Sequence, residues 1–134
     1  MITSFHDLEV YRSAYDACLV VCLQLLPKLP EHEKYDLKDQ LYRSTKAVPR
    51  LIAEGYGKRH QKSGFQKYID DAIAEANETM VGIEQIKDIY KIQVELCIKL
   101  IDRYDKIGRQ LYKLGAAWTN FKRNRPPLSP KRAS

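Results

Sequence analysis

The chain has 134 residues. This length suits one domain around one hydrophobic core and is too short for two separate cores. Charged residues make up 30% and apolar residues 44%, which is ordinary for a globular protein, and no apolar run approaches the roughly 18 residues of a membrane span. The start of the chain lacks the basic and then apolar pattern of a secretory signal.

The net charge of +6 at pH 7 is unevenly placed. From Lys122 onward the chain carries five basic residues and no acidic one, so the part before it is nearly neutral. We therefore predict two units: residues 1–121 form the folded body and residues 122–134 form a basic, flexible tail. Such a tail is typical of an electrostatic arm for nucleic acid or another polyanion, and a solubilising end is the alternative.

The first predicted helix starts near Ser4 or Asp7 and ends near Pro27. Apolar residues recur every three or four positions from Leu8 to Leu29, and further apolar residues widen the stripe, so we expect burial over much of the helix's girth. Three cysteines lie on apolar helix faces. An odd number on such faces indicates buried free thiols rather than disulfides, and a reducing cytoplasm.

The second predicted helix runs from residue 35 or 36 to residue 56 and carries a proline in its middle. Pro49 costs roughly 3 kcal/mol in a helix interior, so a chain that keeps it there is expected to use the bend. The alternative is that the helix breaks at that point. Gly55 and Gly57 are expected to supply positive φ angles at its end.

The third predicted helix spans residues 64–90, after a possible N-cap at Ser63, and the fourth spans residues 93–121. The third keeps heptad spacing with small residues in its middle, which favours close approach of a neighbouring helix, and its polar face is acidic. The fourth carries two apolar stripes, which indicates one contact inside a bundle and one outside it. Four long helices with short loops predict an all-α, antiparallel, up-down-up-down four-helix bundle.

The segment Gln40–Gly55 carries the pattern Gln-Leu-x-Arg-Ser-x-x-x-Val-Pro-x-x-Ile-Ala-Glu-Gly. This pattern, the opening Phe5–Tyr11 and the segment Phe65–Glu78 resemble a family of small four-helix-bundle proteins. That family includes proteins encoded in intervening sequences of bacterial 23S rRNA genes and accessory variability proteins of diversity-generating retroelements. The family usually has Ser-Asn after the proline, where this chain has Arg50 and Leu51.

The resemblance implies a structural role for the motif residues Pro49, Glu54 and Gly55. From the accessory proteins it implies a homo-oligomer in the form of a pentameric ring, binding to template RNA or cDNA, and docking on a reverse transcriptase during mutagenic reverse transcription. The ending Gly115–Arg123, a tryptophan followed by a basic run, is similar to the end of those accessory proteins.

The residues themselves give no pattern typical of catalysis. The three histidines fall near the N-terminus and in two loops, without a helical pairing that would ligate metal. The run Gly55–Lys58 lies at a helix C-terminus, the wrong pole for a phosphate-cradling loop. We therefore expect no enzymatic activity, no cofactor or metal, no small-molecule substrate and no membrane contact.

What remains is charge, arranged in rows on the second and fourth helices. These rows predict contacts with the phosphates of a nucleic acid, without recognition of the base sequence. The candidate nucleic-acid-binding residues are Arg43, Lys46, Arg50, Lys58, Arg59, Lys62, Arg109, Lys113, Lys122, Arg123 and Arg125.

Three alternatives stay open for these residues. The fourth-helix row could be a solvated face paired with Glu95, Asp102 and Asp105. The aromatic residues near the row could stack on bases or pack in cores or subunit interfaces. The protein could also be a protein-interaction module without nucleic-acid affinity, as in the rRNA-encoded branch, with the acidic face of the third helix as its docking surface.

Overall fold

The structure is a computed structural model that describes residues 1–61 and 64–124, with side chains up to residue 119. Its four helices are α1 (Glu9–Val20), α2 (Leu37–Gly57), α3 (Gly64–Gln85) and α4 (Val94–Asn124), and the described residues contain no strand. This confirms the all-α four-helix bundle. The possible N-cap Ser63 and the tail residues 125–134 lie outside the described residues.

Two helices end in a widened turn at the same end of the bundle. After α1 the chain forms a π-helical turn at Val21–Leu25 and a 3₁₀ turn at Leu26–Lys28, and after α3 it forms a π-helical turn at Ile86–Tyr90. The start of α1 is later than its apolar pattern suggested. Ser4 caps a separate 3₁₀ turn at Phe5–Asp7, and Leu8 is extended before α1 begins.

Contacts between distant residues fix the antiparallel order. Gly82 of α3 packs against Leu41 of α2, whereas Gly55 near the other end of α2 packs against Ile69 near the start of α3. The fourth helix runs antiparallel to the first, because Arg103 contacts Ser13 and Gln110 contacts Glu9. Each helix thus neighbours the next, α4 closes on α1, and α2 and α4 lie diagonally opposite.

The predicted heptad seam of α3 is the centre of the core. Its members from Phe65 to Ile86 are all buried: Phe65, Ile69, Ala72, Ala76, Thr79, Ile83 and Ile86. The small residues bring neighbouring helices close. A Cβ added to Gly82 would lie 2.7 Å from Leu41 Cδ2, so a side chain at that position has no space.

A layer of hydroxyl groups crosses this apolar core. The Tyr104 hydroxyl lies 2.5 Å from the Thr45 hydroxyl, and the Thr79 hydroxyl lies 2.8 Å from that of Ser44. All four residues are buried. Because buried polar groups are costly without partners, this layer satisfies these four hydroxyl groups by pairing them with one another across helices.

The second helix continues through Pro49 without a break, so the alternative that it ends there is wrong. The glycine prediction is also wrong, since no described glycine has a positive φ. Instead, the backbone N–H of Lys58 caps the helix end, and the Arg59 guanidinium donates to the Tyr56 carbonyl at 2.7 Å. Gly55 serves packing, because an added Cβ would lie 3.4 Å from both Ile69 and Tyr68.

Two predictions about burial need correction. The two stripes of α4 are one core-facing stripe, because Cys97 and Tyr104 from one and Leu100, Ile107 and Leu111 from the other are buried together. The first helix is not buried over most of its girth. Its residues Tyr15, Leu19 and Leu23 are 47%, 42% and 70% exposed, because the bundle covers only one of its faces.

Candidate nucleic-acid interface

The basic row of α2 lies on the outer part of that helix, away from the core. The Arg43 guanidinium is 3.5 Å from the Asp39 carboxylate, in an exposed ion pair of the kind that contributes little. The Lys46 ammonium lies 3.7 Å above the Tyr42 ring and is half-buried beside α1. Arg50 is exposed and has no ion-pair partner among the described residues.

Two more cations continue from this row at the C-terminus of α2. Lys58 and Arg59 are both half-buried. The Arg59 guanidinium stacks 3.7 Å from the centre of the Tyr56 ring and caps a backbone carbonyl, so part of its hydrogen-bonding capacity serves the helix end. The Lys58 ammonium lies 5.7 Å from the centre of the Tyr68 ring and forms no ion pair with another described residue.

The basic row of α4 is partly paired along its own helix. Lys106 lies 3.0 Å from Asp102 and Arg109 lies 2.7 Å from Asp105. The alternative of a solvated, paired face therefore applies to this half of the row. Lys113 is exposed and unpaired within the described part of the chain.

The two rows do not form one flat surface, because α2 and α4 lie diagonally opposite. Both helices finish at the same end of the bundle. There Trp118 of α4 packs against Phe65 with ring centroids 5.3 Å apart, and against Tyr56 at 6.3 Å. The backbone of α4 continues to Asn124, so the last turns of α4 lie at the end of the bundle where α2 also finishes.

Four of the candidate residues lie beyond what the structure describes. Lys62 and Arg125 are outside the described residues, and the side chains of Lys122 and Arg123 are outside the described side chains. The helical backbone places Lys122 and Arg123 in the last turn of α4. Cations suit that position, because the helix dipole is negative at the C-terminus.

The aromatic residues near the basic rows divide into two groups. Tyr56 is buried and Trp118 half-buried, both in the packed end of the bundle, so for these two the alternative of core packing applies. Tyr112 is 73% exposed and offers an open ring face on α4. The side chain of Phe121 is outside the described part.

The three family-motif residues occupy different environments. Pro49 and Gly55 are buried, one facing α1 and the other facing α3. Glu54 is exposed, and no ion pair joins it to another described residue. Pro49 and Gly55 therefore lie in packed positions and Glu54 lies in an exposed one, and the structural role implied for the motif stays a prediction.

Sequence reasoning missed an apolar groove between α1 and α2, with a volume of about 510 Å³. Its lining consists of Phe5, Tyr11, Tyr15, Cys18, Leu19, Cys22, Leu23, Tyr42, Lys46, Pro49, Arg50 and Ala53. The signal was present, because the apolar stripe of α1 is wider than one core contact needs. Burial and the neighbouring Cys18 thiol raise the pKa of Cys22 to about 11, so that thiol stays protonated at neutral pH.

Outside the groove, two acidic side chains of α3 influence one another. On the acidic face of α3, partial burial and the neighbouring Glu78 raise the pKa of Glu75. Among the residues searched, no three metal-ligating side chains converge, and no helix has the length and hydropathy to cross a membrane.

A sequence model of the family described as 23S rRNA-intervening sequence protein matches residues 6–113. No curated protein and no solved structure is significantly similar to the chain. The matched segment contains all of α1, α2 and α3 and most of α4.

Proposed function

The chain belongs to the 23S rRNA-intervening sequence protein family, and from this premise we propose that it is a non-catalytic scaffold that binds nucleic acid. Its cations contact phosphates and leave the bases unread. The observation that carries the proposal is that α2 and α4 finish at the same end of the bundle, where the Trp118 ring packs against the Tyr56 ring. Lys58 and Arg59 at the end of α2 and the basic segment that begins at Lys122 in the last turn of α4 therefore belong to the same end.

The proposed path of a single strand follows the outer face of α2 to this end. Arg50 and Lys58 lie along that path without carboxylate partners among the described residues. The ion pair at Arg43 is exposed and weak, so a phosphate can replace Asp39 at little cost. On α4, Lys113 extends the surface beyond the paired Lys106 and Arg109.

The proposal includes a homo-oligomer in the form of a pentameric ring, as the resemblance to accessory variability proteins implies. A single copy leaves large apolar side chains uncovered on several faces, which supports association. These include Val81 on α3 and Tyr112 on α4. A ring would place several copies of the basic end around one strand and multiply weak phosphate contacts.

By the same resemblance, the scaffold docks on a reverse transcriptase and supports mutagenic reverse transcription. The basic residues 122–134 are proposed as an arm that holds template RNA or cDNA near the bundle.

A gel-shift or anisotropy titration with a short single-stranded RNA at increasing salt tests the proposal. A scaffold of this kind loses affinity steeply with salt, because each phosphate contact releases condensed cations. The alternative, a protein-interaction module of the rRNA-encoded branch without nucleic-acid affinity, predicts no shift at any salt concentration. A shift that does not respond to salt would contradict phosphate binding.

A further inference from the structure

We propose that the groove between α1 and α2 is a docking site for a helix of a partner protein. That helix is amphipathic and carries acidic residues beside its apolar face. The inference concerns only the protein-docking half of the proposed function and names its surface and the chemistry of its partner. Nucleic-acid binding can fail without touching it.

The groove has the dimensions of a site for a third helix. One wall runs along α1 from Tyr11 to Leu19 and continues to Leu23 in the π-helical turn that follows, so it is roughly three turns long. The α2 wall, from Tyr42 to Ala53, is nearly as long. An apolar helix face with anchors at every third or fourth position fits such a channel between two antiparallel helices.

The apolar lining is left open to solvent by a single copy of the chain. Leu23 is 70% exposed, and Tyr15, Leu19 and Tyr42 are each more than 40% exposed, although all four line the same groove. Contiguous exposed apolar surface of this kind marks a binding surface more often than isolated apolar residues do.

Charge determines which helix fits. The lining contains two cations, Lys46 and Arg50, and no acidic residue. Neither cation has an ion pair with another described residue. Two unpaired cations on one side of an apolar channel complement a helix that carries glutamate or aspartate beside its apolar face and disfavour one that carries lysine.

The ring geometry favours a peptide helix over stacked nucleotide bases. The Tyr42 ring already has the Lys46 ammonium above it at 3.7 Å. Tyr11 and Tyr15 stack on one another with centroids 6.0 Å apart. Tyrosines whose faces are occupied offer little stacking surface, whereas the leucines and thiols between them suit aliphatic anchors.

Two synthetic peptides test the proposal with the full-length protein. Both are helices of about 14 residues with leucines on one face, and they differ only in carrying glutamate or lysine beside that face. We expect the glutamate peptide to bind about tenfold more tightly than its lysine twin in anisotropy titrations. It should also slow alkylation of Cys22, which lines the groove.

A pair of protein variants localises the site. Leu19→Gln with Leu23→Gln should weaken the glutamate peptide by about tenfold or more, because both leucines line the groove and both are exposed, so the core is undisturbed and no charge is added beside Lys46 and Arg50. Ile98→Gln is the matched control, since Ile98 is 54% exposed on α4 and outside the groove. The control should leave peptide affinity within about twofold. Neither variant should change RNA affinity by more than about twofold, which separates failure of docking from failure of nucleic-acid binding.

Five results would overturn the proposal. The first two are that neither peptide binds and that both peptides bind equally. The third is that the control variant loses as much peptide affinity as the groove variant. The fourth is that a short oligouridine protects Cys22 from alkylation, which would make the groove a nucleic-acid site. The fifth is that the groove variant has a lower oligomer mass in light scattering, which would make the groove a contact between copies of this chain.

Discussion

The hydroxyl of Tyr104 on α4 lies 2.5 Å from the hydroxyl of Thr45 on α2, which joins the two diagonal helices across the centre of the bundle. Both residues are fully buried, and burial raises the pKa of Tyr104 above its usual range. The pair is therefore a hydrogen bond between two neutral hydroxyl groups at neutral pH. Thr45 also lies four residues before Pro49, where the proline ring removes a backbone donor from the helix.

Tyr104→Phe removes one partner of this hydrogen bond. The Thr45 hydroxyl then stays buried without its hydrogen-bond partner. We expect a loss of about 1–3 kcal/mol in the free energy of unfolding, measured by urea denaturation. Adding Thr45→Val should recover part of the loss, because both polar groups are then gone. A double variant that is less stable than the sum of the single losses would contradict this account.

Gly82→Ala should destabilise the bundle by about 1–3 kcal/mol, because the new methyl group would lie 2.7 Å from Leu41 Cδ2 in a filled core. Gly108→Ala is the matched control. A Cβ at Gly108 meets nothing within 4 Å, so this substitution should stabilise α4 by up to about 1 kcal/mol through helix propensity. Thermal unfolding compares the two, and equal effects of the same sign would contradict the packing argument.

The Tyr90 hydroxyl donates to the Glu33 carboxylate and lies 3.0 Å from His32 Nε2, which joins the two connections at one end of the bundle. This hydrogen bond lowers the pKa of Glu33 below its ordinary value of 4.5 and raises the pKa of Tyr90 above 10. Its contribution to stability is therefore full between those two ordinary values. It is lost as the pH falls through the lowered pKa of Glu33, and also as the pH rises through the raised pKa of Tyr90.

Tyr90→Phe should lower the melting temperature across that neutral window, and the difference from the parent protein should narrow at acid and alkaline pH. Melting curves from about pH 3 to pH 11 measure this difference. A difference that stays constant across the whole range would show that the hydroxyl acts without the carboxylate.

Cys22 should be the most reactive of the three thiols and still slow at pH 8. It is half-buried, whereas Cys18 and Cys97 are buried, and its pKa is raised to about 11. Because the thiolate is the nucleophile, iodoacetamide alkylation should accelerate about tenfold per pH unit up to about pH 11. Mass spectrometry of digests identifies the site, and fast labelling of Cys22 at pH 7 would contradict its apolar environment.

The period of the apolar residues predicted the helices well, because burial of one face per helix is the main force that selects them. The α3 seam from Phe65 to Ile86 is buried as its heptad spacing predicted. The same periodicity could not show where the bundle stops covering a helix. Leu8 and Leu25 of the first stripe are buried, while Leu19 and Leu23 beside it line an open groove.

The candidate site was predictable only in part. The rows of cations are visible in sequence, but their pairing depends on rotamers, and Lys106 and Arg109 turned out to face acidic residues one helical turn away. The distance between the rows depends on which helices are neighbours. Spacing along one helix cannot supply that, so the diagonal placement of α2 and α4 emerged only from the fold.

The central claim is that cations along α2 and at the end of the bundle hold a nucleic-acid strand. Charge reversal at Arg43, Lys46 and Arg50 tests it most directly, in anisotropy titrations of a single-stranded RNA across a salt series. The control reverses Lys28, Lys34 and Lys91, which lie at the opposite end. We predict that the α2 variant keeps its helical circular dichroism spectrum and does not bind RNA at physiological salt. At lower salt, where its binding can be measured, the slope of log affinity against log salt should be smaller by about 2. The control should bind RNA like the parent protein. Equal RNA affinity and salt slope in the parent and the α2 variant would contradict the account.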